Sequence, residues 1–285
     1  MIPRGTLAAV WMGIAQVSFA LMNVAGRSGA EELPWQEVAT ARFLMGTIVA
    51  FTWARIRGKP LRVVNQRLAW RRTGFGLVAA AATFYTLASH ELPVGDGVTI
   101  MATSPIFVAL LSYPLLGEPV RMRVLVAMVV SFAGIAAVAQ PSFHVARVAG
   151  TVAMSVAVFS ALAMISLRKL GPGESAEAVV LHFSAFGFLI LLAITVPVWK
   201  MPSPRAAGFL LLTGVAGGVG QLAMTRAYSL ERAAKVASLA YLGVVFTRLF
   251  AVPFFGEVPA PAQVVGSVLV IGAGLFVALD RAPAR

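Results

Sequence analysis

Three arginines interrupt runs that are otherwise almost free of charge: Arg42, Arg226 and Arg248. A guanidinium among apolar neighbours is costly unless an anion or a carbonyl faces it, so each asks for a partner. Arg42 lies about two turns inside its run and has three outlets: a substrate carboxylate, snorkelling to the nearer surface, or an ion pair with Glu37. Arg248 lies nearer the middle of its run and suits a carboxylate-bearing substrate or a set of backbone carbonyls. His182 reads as a packed or hydrogen-bonded histidine rather than a proton site. His90 falls at a run's end, where it either lines an entrance and gates it or is simply solvated. Uncharged polar groups accompany them: Gln16, Asn23, Thr83, Tyr85, Thr86, Thr99, Ser104, Ser160, Gln221 and Tyr241. Such groups hydrogen-bond the ammonium and carboxylate of a small metabolite. They also join helices, at about 0.6 kcal/mol per bond. Singly, each reads as helix glue; as a set they mark a polar layer.

What is missing narrows the chemistry. No Asp or Glu falls in the middle of an apolar run, so the carboxylate relay common in proton-coupled carriers is not evident, and facilitative movement is expected. The chain has no cysteine, which removes disulfides, iron–sulfur clusters and thiolate zinc sites. There is no His-Glu-x-x-His, no Gly-x-Ser-x-Gly and no phosphate-binding loop, and the three histidines lie on separate segments. No catalytic residue, metal ligand set or cofactor is expected, and the chain does not read as an enzyme. Gly214, Gly217, Gly218 and Gly220 contain a Gly-x-x-x-Gly that permits close helix approach; with no strand before them they are not a dinucleotide motif.

The elements that must position these groups are membrane spans. The 285 residues are 59% apolar and only 12% charged, with a mean hydropathy of +0.86. Soluble domains carry about 25% charge. Ten apolar segments approach the roughly 20 residues that a helix needs to cross a bilayer. They are Gly5–Ala25, Trp35–Ala54, Thr73–His90, Gly97–Gly117, Val124–Ala139, Ala149–Leu167, Ala178–Trp199, Ala206–Tyr228, Val236–Gly256 and Ala260–Leu279. The first is too long for a signal-peptide core and reads as a retained helix. Period-two alternation is absent, so a barrel is not expected. The net charge of +12 does not indicate nucleic acid, because the basic residues sit in short connections. Sixteen Lys and Arg fall at the termini and in the even connections, led by the Arg55–Arg72 stretch, against four in the odd ones. That asymmetry predicts both termini on the cytoplasmic side of an inner membrane. Trp35, Trp53, Trp70 and Trp199 sit at span ends, where aromatic belts form.

The chain also matches itself at an offset of about 139–140 residues. Gly117–Glu118 closes the fourth span and Gly256–Glu257 the ninth; Arg42–Phe43 aligns with His182–Phe183, and Thr86 with Thr225. Each copy holds five spans, and an odd number turns the second copy upside down. The expected fold class is therefore all-α integral membrane, ten transmembrane helices as two inverted five-helix repeats, residues 1–140 and 141–285. Inverted repeats are the architecture of secondary transporters, with a midplane site at the repeat interface. Pro105 interrupts the fourth span, a candidate gating kink. Its counterpart near Val244 has no proline, so an asymmetric kink is expected.

Thr103–Ser104–Pro105–Ile106–Phe107 running to Leu116–Gly117–Glu118 is echoed by Ala237–Ser238–Leu239–Ala240–Tyr241 running to Phe255–Gly256–Glu257, followed by Gly266 to Gly274. With the early arginine of the second span, this pattern resembles the drug/metabolite transporter superfamily, in its EamA-type ten-helix branch, over essentially the whole chain. It is similar to the YddG-type bacterial amino-acid exporters. The resemblance implies export of a small metabolite, an aromatic or neutral amino acid first, with a purine, a drug or another metabolite moved with protons as the alternative. It implies a monomer, or a dimer, and a central cavity lined by the first, third, fourth, sixth, eighth and ninth spans. That lining makes Gln16, Tyr85, Thr86, Thr99, Ser104, Ser160, Gln221, Tyr241 and Arg248 substrate candidates. Phe19 and the methionines Met101, Met164 and Met224 would supply a pliable wall. The same lining leaves the second span outside and favours a structural role for Arg42. Glu118 and Glu257 read as structural caps.

Overall fold

The computed structural model describes residues 3–88, 94–142, 147–256 and 259–279. Among them every regular element is a helix. In chain order these are α1 (Arg4–Gly29), α2 (Trp35–Ile56), α3 (Gln66–Ala88), α4 (Val94–Met101), α5 (Ser104–Leu116), α6 (Met122–Ala139), α7 (Arg147–Leu170), α8 (Ala176–Thr195), α9 (Pro204–Leu230), α10 (Ala233–Ser238), α11 (Leu242–Phe255) and α12 (Pro261–Leu279). They reproduce the ten expected spans, with α4–α5 forming the fourth and α10–α11 the ninth. Eight of these spans are long and apolar enough among the described residues to cross a membrane. The other two, α2 and α3, carry Glu37, Arg42, Arg67, Arg71 and Arg72. Large apolar side chains such as Leu110, Val129, Leu189 and Val268 stand more than half exposed. That surface suits lipid rather than water, because every backbone polar group inside a helix is already satisfied. The chain is an all-helical membrane protein of two inverted five-helix halves.

Helix pairing crosses the halves in matched fashion. α1 lies along α9, and its repeat counterpart α7 lies along α3. α1 meets α11, and α7 meets α5; α2 pairs with α8, and α6 with α12. The glycines of α9 explain how closely that helix is held. A Cβ on Gly214 would stand 2.8 Å from the Ala41 carbonyl oxygen, and one on Gly218 3.1 Å from the Gly46 Cα, both on α2. A Cβ on Gly220 would stand 2.9 Å from the Phe19 ring on α1. The expectation of close approach through these glycines is met, with α9 wedged between α1 and α2. The same device joins α6 to α12, where a Cβ on Gly134 would meet the Gly266 carbonyl oxygen at 2.6 Å.

Both the fourth and the ninth spans break near mid-depth. Pro105 has no N–H for the Met101 carbonyl, so the helix stops at Met101 and restarts at Ser104, with Pro105 in the first turn where a missing donor costs nothing. At the break, the Thr103 hydroxyl donates to the Ile100 carbonyl oxygen at 2.7 Å. In the ninth span α10 ends at Ser238, and a 3₁₀ turn over Leu239–Tyr241 leads into α11. The expected asymmetry is thus corrected: the second break occurs at the matching depth without a proline. The two spans also end alike, each with a proline inside its last turns (Pro114, Pro253) and a left-handed glycine cap. Gly117 has φ 67°, ψ 16° and Gly256 φ 65°, ψ 19°, a conformation that glycine adopts without steric cost.

Candidate functional site

The two breaks face one another across a central cavity of about 310 Å³. α4–α5 bring Met101, Ala102, Ser104, Pro105 and Val108 to its wall; the ninth span brings Ala237, Ala240, Tyr241 and Val244. α1 adds Met12, Gln16 and Phe19, α7 adds Ser160 and Met164, α9 adds Met224 and Tyr228, and α6 adds Ile135. Of the residues expected to serve a substrate, Gln16, Phe19, Met101, Ser104, Ser160, Met164, Met224 and Tyr241 are brought together here, beside the expected gating residue Pro105. The wall is mainly apolar, with thioethers and rings around a few hydroxyls and one amide. The Tyr241 hydroxyl is buried and has no hydrogen-bond partner among the described residues. The Gln16 amide nitrogen hydrogen-bonds, among the described residues, to the Met12 sulfur alone, at 3.7 Å. Both groups hold capacity that a polar guest can use. Met12, Val108, Ile135 and Tyr228 were not singled out from sequence, because an apolar residue gives no sign there of facing a cavity rather than a neighbour.

The other candidates lie elsewhere. Thr86 is buried and donates to the Ala82 carbonyl of its own helix at 2.9 Å. Thr99 and Gln221 are buried outside the central wall. Arg248 donates from Nη2 to the Gln263 Oε1 at 2.7 Å, and Gln263 in turn donates to the Val138 carbonyl at 3.2 Å. It fastens α11 to α12 and α6 rather than reaching the cavity. His182 shares a 2.9 Å hydrogen bond between Nδ1 and the Thr73 hydroxyl and sits between the Trp70 and Phe186 rings. The side chain of Tyr85, and His90 and Glu257 altogether, lie outside the described residues.

A second cavity, about 640 Å³, opens toward the α1–α2 connection, and Met101 lines both spaces. Its wall includes Met22, Asn23, Arg27, Arg42, Ala80, Thr83 and Thr213. The second span, which has no residue on the central wall, lines this second cavity through Trp35, Val38, Ala39 and Arg42. α9 has only glycine at 217 where it passes α2, leaving the Arg42 side chain room to enter: a Cβ there would stand 3.2 Å from the Arg42 Cγ. Nor does Arg42 pair with Glu37, whose Oε1 accepts from the Lys200 backbone N–H.

Ion pairs tie helix ends together on the face where α1 begins and α12 ends. Arg168 Nε donates to Glu118 Oε1 at 2.7 Å, and the same arginine reaches the Tyr228 carbonyl at 3.2 Å. Glu118 Oε2 accepts from the Ala233 N–H at 2.9 Å. One carboxylate thus ties the ends of α5, α7, α9 and α10, the structural role expected of it. Arg226 meets Glu177 at 2.5 Å and covers the Trp11 ring, tying α9, α8 and α1. Among the described residues no cluster of three His, Cys, Asp or Glu gathers that would hold a metal ion.

The profile of the EamA-like transporter family matches the chain twice, over residues 6–140 and 148–279. A pseudopaline exporter of Pseudomonas aeruginosa is 29% identical over 283 residues, covering 99% of this chain and 97% of that one. A riboflavin transporter of Vibrio cholerae is 23% identical, covering 94% and 92%. An S-adenosylmethionine uptake transporter of Rickettsia prowazekii is also 23% identical, covering 94% and 90%. A solved crystal structure superposes with a TM-score of 0.81 at 19% identity, over 98% of this chain and 99% of that one, and so shares the fold.

Proposed function

The chain belongs to the EamA-like transporter family, and from that premise we propose that it carries a small zwitterionic metabolite, an aromatic or neutral amino acid first, out of the cell through the central cavity. The observation that carries this reading is the meeting of the two broken spans on one apolar-walled, partly polar space. Irregular backbone at membrane depth is tolerated where it lines a cavity, and that is where inverted-repeat carriers hold their cargo. Thioether and ring walls suit an apolar side chain, while Gln16, Ser104, Ser160 and Tyr241 offer hydrogen bonds to an ammonium or carboxylate. Among the named relatives one is an exporter and another an uptake transporter, so outward direction rests on the similarity to the first.

The moving bodies in this reading are the repeats 1–140 and 141–285, supported by the two family matches and the matched cross-half pairing. They rock about the cavity in an inner membrane, as a monomer, with both termini in the cytoplasm, the side favoured by the sixteen basic residues. Glu118–Arg168 and Glu177–Arg226 then hold the cytoplasmic side shut. Movement is facilitative.

Counterflow tests this. Proteoliposomes preloaded with unlabelled phenylalanine, leucine, threonine or hypoxanthine are given the same compound radiolabelled outside. Saturable counterflow of an amino acid without an imposed pH gradient is expected. Counterflow of hypoxanthine alone would replace the amino-acid reading, and dependence on a pH gradient would replace the facilitative one.

A further inference from the structure

We propose that the larger cavity is an anion subsite in which the Arg42 guanidinium takes the carboxylate of the metabolite on its way to or from the central space. The proposal rests on the transport reading and names the charge its cargo must carry. Arg42 lines the cavity and makes no hydrogen bond or ion pair with any described residue; its nearest aromatic face is the Phe43 ring, 5.4 Å from Cζ. No carboxylate stands on the described wall; Arg27, on the same wall, has its Cζ 4.2 Å from the Phe255 ring. The Thr213 hydroxyl on the same wall is buried without a partner among the described residues.

A further cation lies behind. Arg72 is buried, its Cζ 4.1 Å from the Phe183 ring, with Nε and Nη1 unpartnered among the described residues. Phe183 meets Phe43 edge-on at 5.2 Å. Arg42, Phe43, Phe183 and Arg72 thus form a ladder across α2, α8 and α3 with a cation at each end and no acid along it. Ring faces offset only part of the desolvation of a guanidinium. Arg226 shows how this fold treats a partly buried guanidinium that serves structure: it supplies Glu177 at 2.5 Å. Arg42 has no such acid among the described residues, and it lines a space large enough for a small molecule. A carboxylate is the planar, two-oxygen anion that such a fork binds bidentately. Met101, common to both cavities, gives the bound molecule a continuous apolar path inward.

The absence of cysteine permits a test that needs no knowledge of the cargo. Ala80→Cys places a single thiol on the cavity wall. In phosphatidylcholine proteoliposomes its modification is timed with anionic sulfonatoethyl methanethiosulfonate and with cationic trimethylammonioethyl methanethiosulfonate. The ratio of the two rates cancels any change in thiol ionisation. We expect the ratio to fall about tenfold when Arg42→Gln is added, and to be largely kept by Arg42→Lys. Asn23→Asp, isosteric and on the same wall, lowers it as well and serves if Arg42→Gln does not fold. A ratio unchanged by Arg42→Gln, or by Asn23→Asp in its place, overturns the subsite. Counterflow separates the two ideas: a charge-dependent ratio without counterflow of any compound sinks transport and leaves the anion subsite, while counterflow with an unchanged ratio does the reverse.

Discussion

Glu37 and Glu177 stand 140 residues apart, in the first turns of α2 and α8, each 2% exposed. Residue type and burial are the same; surroundings are not. Glu177 meets Arg226 at 2.5 Å and accepts from the Ser175 hydroxyl at 2.9 Å. Glu37 accepts from the Lys200 backbone, and its Oε2 has no partner among the described residues. The position matching Arg226 is Leu87. Among the described residues Glu177 is therefore held by a cation and Glu37 is not, and the larger cavity lies at the end of the molecule that holds Glu37. The two halves match closely, and it is at positions where they differ, such as 87 and 226, that their packing departs.

The largest effect expected from breaking this comparison is at the clamp. Arg226→Ala strands a buried carboxylate, at a cost of about 3 kcal/mol. Thermal unfolding in detergent reads this as a clear fall in Tm. Glu37→Gln removes a carboxylate that has no cation and changes stability by less than about 1 kcal/mol in the same measurement. Equal losses from the two variants would mean the ends are not held differently.

Next in size is the wedge of α9. Gly214→Ala forces Ala41 and Met45 on α2 to yield and costs about 1–3 kcal/mol. Gly13→Ala, where an added Cβ meets nothing, stabilises by up to about 1 kcal/mol through helix propensity. Chemical unfolding of the two variants side by side checks the sign change.

Glu118→Gln weakens the four-helix tie and shifts the population toward opening at the face with the termini. A cysteine at Val124, beside that tie and buried, should become several-fold more reactive to a water-soluble thiol reagent. The smallest effect is at Tyr241. Tyr241→Phe deletes a hydroxyl that has no described partner, so stability holds within about 0.5 kcal/mol while half-saturation for the cargo rises a few-fold. A loss of stability there would mean that the hydroxyl serves packing rather than cargo.

Much of the fold was legible because lipid imposes simple rules. Ten apolar lengths, the basic bias of alternate connections and the offset of about 140 residues locate the helices and their inversion without any knowledge of contacts. The α9 glycines and Pro105 were legible for a similar reason: each acts through its own backbone, by close approach or a missing donor. The candidate site was legible only in part. Gln16, Ser104, Ser160 and Tyr241 stand out as polar residues in apolar runs, and they do line the central cavity. Thr86, Thr99, Gln221 and Arg248 stand out equally and do not, since which face of a helix meets a cavity depends on how its neighbours are rotated.

The amino-acid sequence by itself determined that this chain crosses a membrane in two opposed halves, since hydrophobic length, charge placement and repetition are properties of the chain alone. Tertiary structure decided the rest. It broke the ninth span opposite the fourth without a proline, where packing sets the backbone. It paired Arg226 with Glu177 and Arg168 with Glu118, residues 49 and 50 positions apart. And it turned Arg42, absent from the central wall, into the wall of the larger cavity, because a glycine on α9 left the space for it.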